Sequence, residues 1–201
     1  MHRVRRLASI AVVAALALGG LTACRSDPSV AAYVGSARYT DDTIVRTVEE
    51  VLASVPAEQR GQIRPASVRE QVVHMLVVRD AARAYAKAEG ITVAGPDLRA
   101  FAEERRLPPE ASFTQLLHGY STVLDALSAK AAPVAPTEDD QREAYEHAQI
   151  QGQPLSQAAP FAEVRKFFDQ QTLGPALGLR KLLGEVLSDA DISIHPRYGT
   201  T

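Results

Sequence analysis

The residues of this 201-residue chain that could do chemistry are one cysteine, four adjacent pairs of acids and a few scattered histidines. Cys24 is the only cysteine, so neither an intramolecular disulfide nor a two-thiol redox centre is available. The pairs Asp41/Asp42, Glu49/Glu50, Glu103/Glu104 and Asp139/Asp140 would suit general acid–base work if their carboxylates converged. Neighbours on a helix point about 100° apart, so they do not converge on one substrate atom. Two of the pairs open predicted helices, where capping and the helix dipole account for them. The other two fall on solvated faces. His74, His118, His147 and His195 lack the i, i+4 spacing of a helical zinc pair, and no second cysteine completes a ligand set. There is no G-x-S-x-G, P-loop or G-x-G-x-x-G run. These residues predict no catalytic, metal or cofactor site.

The elements around them explain Cys24 best. Met1–Arg6 carries Arg3, Arg5 and Arg6 without an acid, and Leu7–Gly20 is an almost unbroken apolar run. This is the charge and hydropathy order of an export signal. About 14 residues are too few to span a bilayer, which takes roughly 20. Leu21-Thr22-Ala23-Cys24 follows, a branched residue and two small ones before the cysteine. That sequence resembles the lipobox of bacterial lipoproteins. The resemblance implies a signal peptide at 1–23, cleavage before Cys24, lipidation of its thiol, and a protein held at the extracytoplasmic face of the cell membrane. Two or three acyl chains hold a protein firmly where one does not. Residues 24–29 read as a tether and 30–199 as a single domain.

Setting aside Arg3, Arg5 and Arg6 from the 22 basic residues leaves 19 against 24 acidic ones. That negative balance, with no basic stripe among aromatics, argues against nucleic acid. Tryptophan is absent, aromatics are 5%, and good helix formers abound, so a mainly α fold is expected. In Val30–Thr40, Gly35-Ser36 separates two short β-capable pieces. Thr40 is a fitting N-cap for a helix over about 41–54, whose Ile44, Val48, Val51, Leu52 and Val55 share a face. Pro65 opens the longest helical pattern, ending at a Gly90 C-cap and apolar over most of its middle circumference. Further helices are predicted from Gly95-Pro96 to about Arg106, from Ser112 to about Ala131, and from Thr137 to about Ala148. Gln-, Pro- and Gly-rich 150–160 reads as the least ordered internal stretch. A last helical region covers Phe161–Leu187, broken or kinked at Gly174-Pro175, before a terminal strand in Asp191–His195.

The order of these pieces resembles the N-terminal domain of SurA/PrsA-type chaperones. It rests on "VAAYVGSARYT" (Val30–Thr40), the "GITV" link (Gly90–Val93) and "DISIHPRYG" (Asp191–Gly199). The resemblance implies that Ala32–Val34 and Ile192–Ile194 pair in a small sheet, and that helices bind unfolded or exported polypeptides without covalent chemistry. That family's parvulin module, roughly 90 residues, would fall between the fourth helix and the closing one. Only Ala132–Pro160 is available there, so prolyl isomerase activity does not carry over. Phe101, Phe113, Leu117 and Tyr120 are candidate client contacts, and ordinary core packing is the commoner use of such residues. The alternative to a chaperone is an assembly lipoprotein docking one specific envelope partner.

Overall fold

The computed structural model describes residues 27–150 and 153–198. The signal, the lipobox, Cys24 and Gly199 lie outside the described residues. The protein is mainly helical with a small antiparallel three-stranded sheet. The described residues form two compact units, 27–77 with 191–198, and 78–190.

In the first unit, β1 (Val30–Val34) turns at Gly35-Ser36 into β2 (Ala37–Thr40). Gly35 sits at φ +55°, in the left-handed region where a side chain is strained. β5 (Ile192–Ile194) pairs antiparallel on the other side of β1, giving the order β2-β1-β5. Ala32 faces Ile194 and Val34 faces Ile192, so the strands the resemblance implied do pair. As the central strand, β1 buries Val30, Ala31, Ala32 and Val34. α1 (Asp41–Ser54) starts where expected, with the Thr40 side chain accepting from the Thr43 N–H, and it buries Ile44, Thr47 and Val48.

Asp41 does more than favour a dipole. Its carboxylate accepts from the Tyr198 hydroxyl at 2.7 Å and pairs with Arg197, whose guanidinium also donates to the Pro28 carbonyl. Tyr198 is buried, in a 3-10 turn after β5. Burial, then the bond to Asp41, raise its hydroxyl pKa above the ordinary tyrosine value. Arg38 donates to Asp27, whose carboxyl is held below the usual range chiefly by two bonds from Ser29.

A short turn of helix, α2 (Ala57–Arg60), precedes α3 (Pro65–Ala88). α3 buries Val68, Val72, Val73, Leu76 and Val77 in the first unit, and Val78, Ala81, Ala82 and Ala86 in the second. It closes as its sequence demands: Gly90 is at φ +65° and the Ile91 N–H reaches back to the Ala86 carbonyl at 2.7 Å.

In the second unit, α4 (Leu98–Arg105) and α5 (Ser112–Ser128) pack together, and α9 (Gln170–Asp189) packs on α5. Ala82, Ala86, Val123 and Leu127 form the core there, with Tyr85, Ile91, Leu179, Leu182 and Leu183 around it. α6 (Glu138–His147) carries the capping box of Thr137 and Asp140. The segment read as least ordered contains a minimal hairpin, β3 (Gln149–Ile150) with β4 (Gln153–Pro154), and then α7 (Leu155–Ala158).

The closing helical region divides elsewhere than predicted. α8 (Phe161–Val164) runs into a 3-10 turn, Arg165–Phe167, and α9 starts at Gln170, with the Asp169 side chain accepting from the Thr172 N–H. α9 then continues through Pro175. The proline stands six residues into the helix, where its missing N–H costs only the rung to Gln171.

Candidate binding surface

α4 and the loop before it are fixed to α5 by small, specific contacts. Asp97 caps α4 by accepting from the Arg99 N–H at 2.8 Å. The His118 ring donates to the Pro96 carbonyl at 2.9 Å, and Phe101 meets that ring edge-on at 5.0 Å. The Arg105 guanidinium lies 3.9 Å from the Phe101 centroid. Gly95 faces Thr122 so closely that a Cβ would fall 2.2 Å from its methyl group. On α5, Gly119 leaves room for the side chains of Arg79 and Arg83, with the Arg83 guanidinium 2.5 Å from where a Cβ would stand.

This arrangement divides the four candidate contact residues. Phe101 is 2% exposed and belongs to the core, covered by His118 and Arg105. Phe113, Leu117 and Tyr120 are half-buried, at i, i+4 and i+7 of α5, and half-buried Leu124 extends their line by another turn. Gln115, on the opposite side of the helix, is exposed. α5 therefore presents a row of four large apolar side chains, none fully covered. Leu124 was accessible to sequence reasoning, since it continues the same spacing.

A second cluster surrounds α6. Tyr145 lies 5.4 Å from Phe161 and 6.5 Å from Phe168, ring to ring, and its hydroxyl donates to the Ala159 carbonyl at 2.8 Å. Arg142 covers the Phe161 ring at 4.7 Å. Gln141 donates to the Phe168 carbonyl and accepts from Arg165, tying α6 to the 3-10 turn. Arg180 of α9 reaches Glu143 at 3.0 Å and Asp140 at 2.5 Å. The bonds from Thr137, then Arg180, hold the Asp140 carboxyl below its usual range. Hydrogen bonding from Arg142, with Arg165 beside it, does the same for Glu138. Phe167 stands apart from this network, 62% exposed with the Lys166 ammonium 5.1 Å from its ring. Only its place in the run Arg165-Lys166-Phe167-Phe168 signalled it in the sequence.

The acid pairs do not assemble a site. Asp41 and Asp140 hold helix starts, while Glu103 and Glu104 are exposed on α4. His74 and His147 are exposed, and His195 accepts from the Arg197 N–H at 3.3 Å. Among the described residues no three His, Cys, Asp or Glu side chains gather where a metal would need them. No described helix is long and apolar enough to cross a membrane. Compared with known protein families, curated proteins and solved structures, the chain matches none.

Proposed function

We propose that the protein is a lipid-anchored, extracytoplasmic, chaperone-like module that binds unfolded or exported polypeptides without covalent chemistry. The observation carrying the reading is the half-buried row Phe113, Leu117, Tyr120 and Leu124 on α5. Such a row offers apolar area to a passing chain without specifying its sequence. The anchor rests on Leu21–Cys24, and the chaperone class on the resemblance of the ordered segments to SurA/PrsA-type N-terminal domains.

The test is suppression of aggregation of a chemically unfolded client at near-stoichiometric ratio, with photocrosslinking from position 117 or 120. Loss of suppression in Leu117→Ser and Tyr120→Ser is the expected result. No suppression and no crosslinked client by the wild type would sink the proposal.

A specific observation favours the alternative, docking to one envelope partner. Phe167 is a single exposed aromatic on a small braced module, the form of an interface anchor. On that reading Phe167→Ala abolishes capture of one defined protein from intact cells and leaves client suppression unchanged.

A further inference from the structure

The sheet of the first unit has an unused edge. Gly35 donates to the Asp191 carbonyl at 2.8 Å, and His195 to the Ala31 carbonyl at 2.9 Å. In an antiparallel ladder such bonded positions alternate with unbonded ones. Tyr33 and Ser193 continue the bonded set, whereas Val34–Ile192 and Ala32–Ile194 are the unbonded pairs. The N–H and C=O of Ile192 and Ile194 therefore point away from β1. Among the described residues, nothing bonds to them. Two donors and two acceptors stand on the outer side of β5, repeating at about 6.7 Å, the two-residue advance of any extended chain. The Ile194 side chain is 38% exposed, and a groove of about 270 Å³ runs beside it, lined by Ala32, Tyr33, Ser193 and His195 among others.

We infer that the outer edge of β5 is a strand-addition site for an extended polypeptide segment. The occupant follows from the chemistry: backbone amides in extended register are what two N–H and two C=O groups at this spacing recognise. Side chains enter only through Ile194 and the groove, so recognition is largely independent of sequence. This deepens the polypeptide-binding reading, on which it rests, by giving it a backbone-directed site in addition to the apolar one. Pro196 ends the edge after two bonding residues, so each bound segment is held weakly and released readily.

Residue-resolved amide exchange on the full-length protein in detergent tests it, with the peptide acetyl-KTVTVTK-amide as probe. The amides of Ile192 and Ile194 should slow at least tenfold at saturating peptide. Those of Tyr33 and His195, already bonded within the sheet, should not change. Ile192→Pro and Ile194→Pro each delete one outward donor and no ladder bond. Each should weaken peptide binding about fivefold, the worth of one net hydrogen bond, while Ile→Val at the same positions should not. Unchanged exchange at both isoleucines overturns the proposal. So does protection that rises with protein concentration without peptide, which would mean that a second copy takes the edge. Aggregation suppression without edge protection refutes the edge alone; the absence of both refutes the polypeptide-binding reading as well.

Discussion

Two glycines of α9, six residues apart, should respond to alanine with opposite signs. A Cβ on Gly178 would fall 2.3 Å from the Ala132 carbonyl oxygen and 3.0 Å from its carbon. Both are backbone atoms, so no rotamer change relieves the contact; helix and linker must part by about 1 Å. The linker is poorly able to yield. The Ala131 N–H is bonded to the Leu127 carbonyl at 2.8 Å, and the Val134 N–H to the Gly174 carbonyl at 3.1 Å. Overpacking of this kind costs about 1–3 kcal/mol, and breaking the Val134 bond about 1 kcal/mol more. The helical gain of alanine over glycine returns only about 0.5–1 kcal/mol. Gly178→Ala should therefore destabilise by about 1–3 kcal/mol. A Cβ on exposed Gly184 meets nothing within 4 Å, so Gly184→Ala should keep the whole helical gain. Denaturant titrations and thermal melts of the two variants and the wild type are the assay. Melting temperature should fall by roughly 3–10 °C in the first and rise by about 1–4 °C in the second. If Gly178→Ala is as stable as the wild type, the linker does not lie on α9 as described.

Thr114 is fully buried and its hydroxyl has no partner among the described residues, so Thr114→Val, which keeps the shape, should raise stability by about 1 kcal/mol in the same titration. Arg106 closes α4 at φ +56°, and Arg106→Gly should stabilise by about 0.5–1 kcal/mol by relieving that left-handed conformation. The Tyr198 pKa is raised on folding, so its contribution is complete below about pH 10 and is lost as pH rises through the folded value; Tyr198→Phe should flatten the alkaline limb of a stability profile. Asp27, Asp140 and Asp169 are shifted the other way, so their contributions hold above about pH 4 and fade as acid protonates them. Cys24→Ala should abolish incorporation of labelled fatty acid and block cleavage before residue 24, and lipid labelling that persists would refute the lipobox assignment.

Local features were the legible ones. Thr40, Gly90 and Thr137 act on backbone groups within a few residues, so the helix boundaries they set could be read from spacing, whereas the Asp97 cap places the start of α4 two residues past the expected Gly95-Pro96. The Asp169 cap was of the same kind, but Gly174-Pro175 drew the predicted break to the louder signal. What joins distant parts of the chain left no local trace. Arg197 meets the Pro28 carbonyl across 169 residues, and Gly178 admits the Ala132 backbone through a notch that sequence shows only as a glycine in a helix. At the candidate surface the period of α5 put Phe113, Leu117 and Tyr120 on one line. No periodicity could tell that Phe101, equally aromatic and equally helical, would lie under His118 and Arg105.

The sheet also sets an order on folding. β1 and β2 are joined by two residues and form a hairpin from local contacts alone, whereas β5 arrives about 160 residues later in the chain. Loop closure makes that late pairing the slow one, so the side of β1 facing β5 stays open until the closing segment docks. Tyr198 and Arg197 then act on Asp41 and Pro28, at the start of α1 and just before β1, which fixes the closing segment against the opening one. On the anchored reading, five residues lie between Cys24 and Val30, and the six steps from one to the other span at most about 20 Å of extended chain. The start of β1 would then sit within that distance of the bilayer, with β5 the neighbouring strand, about 5 Å away. A polypeptide added to Ile192 and Ile194 would be held close to the membrane, where an anchored binding protein would first meet an exported chain. Lengthening the tether between Cys24 and Asp27 with a flexible insert should therefore leave peptide affinity in detergent unchanged. It should lower crosslinking of membrane-proximal clients in cells, and equal crosslinking at every tether length would refute this placement.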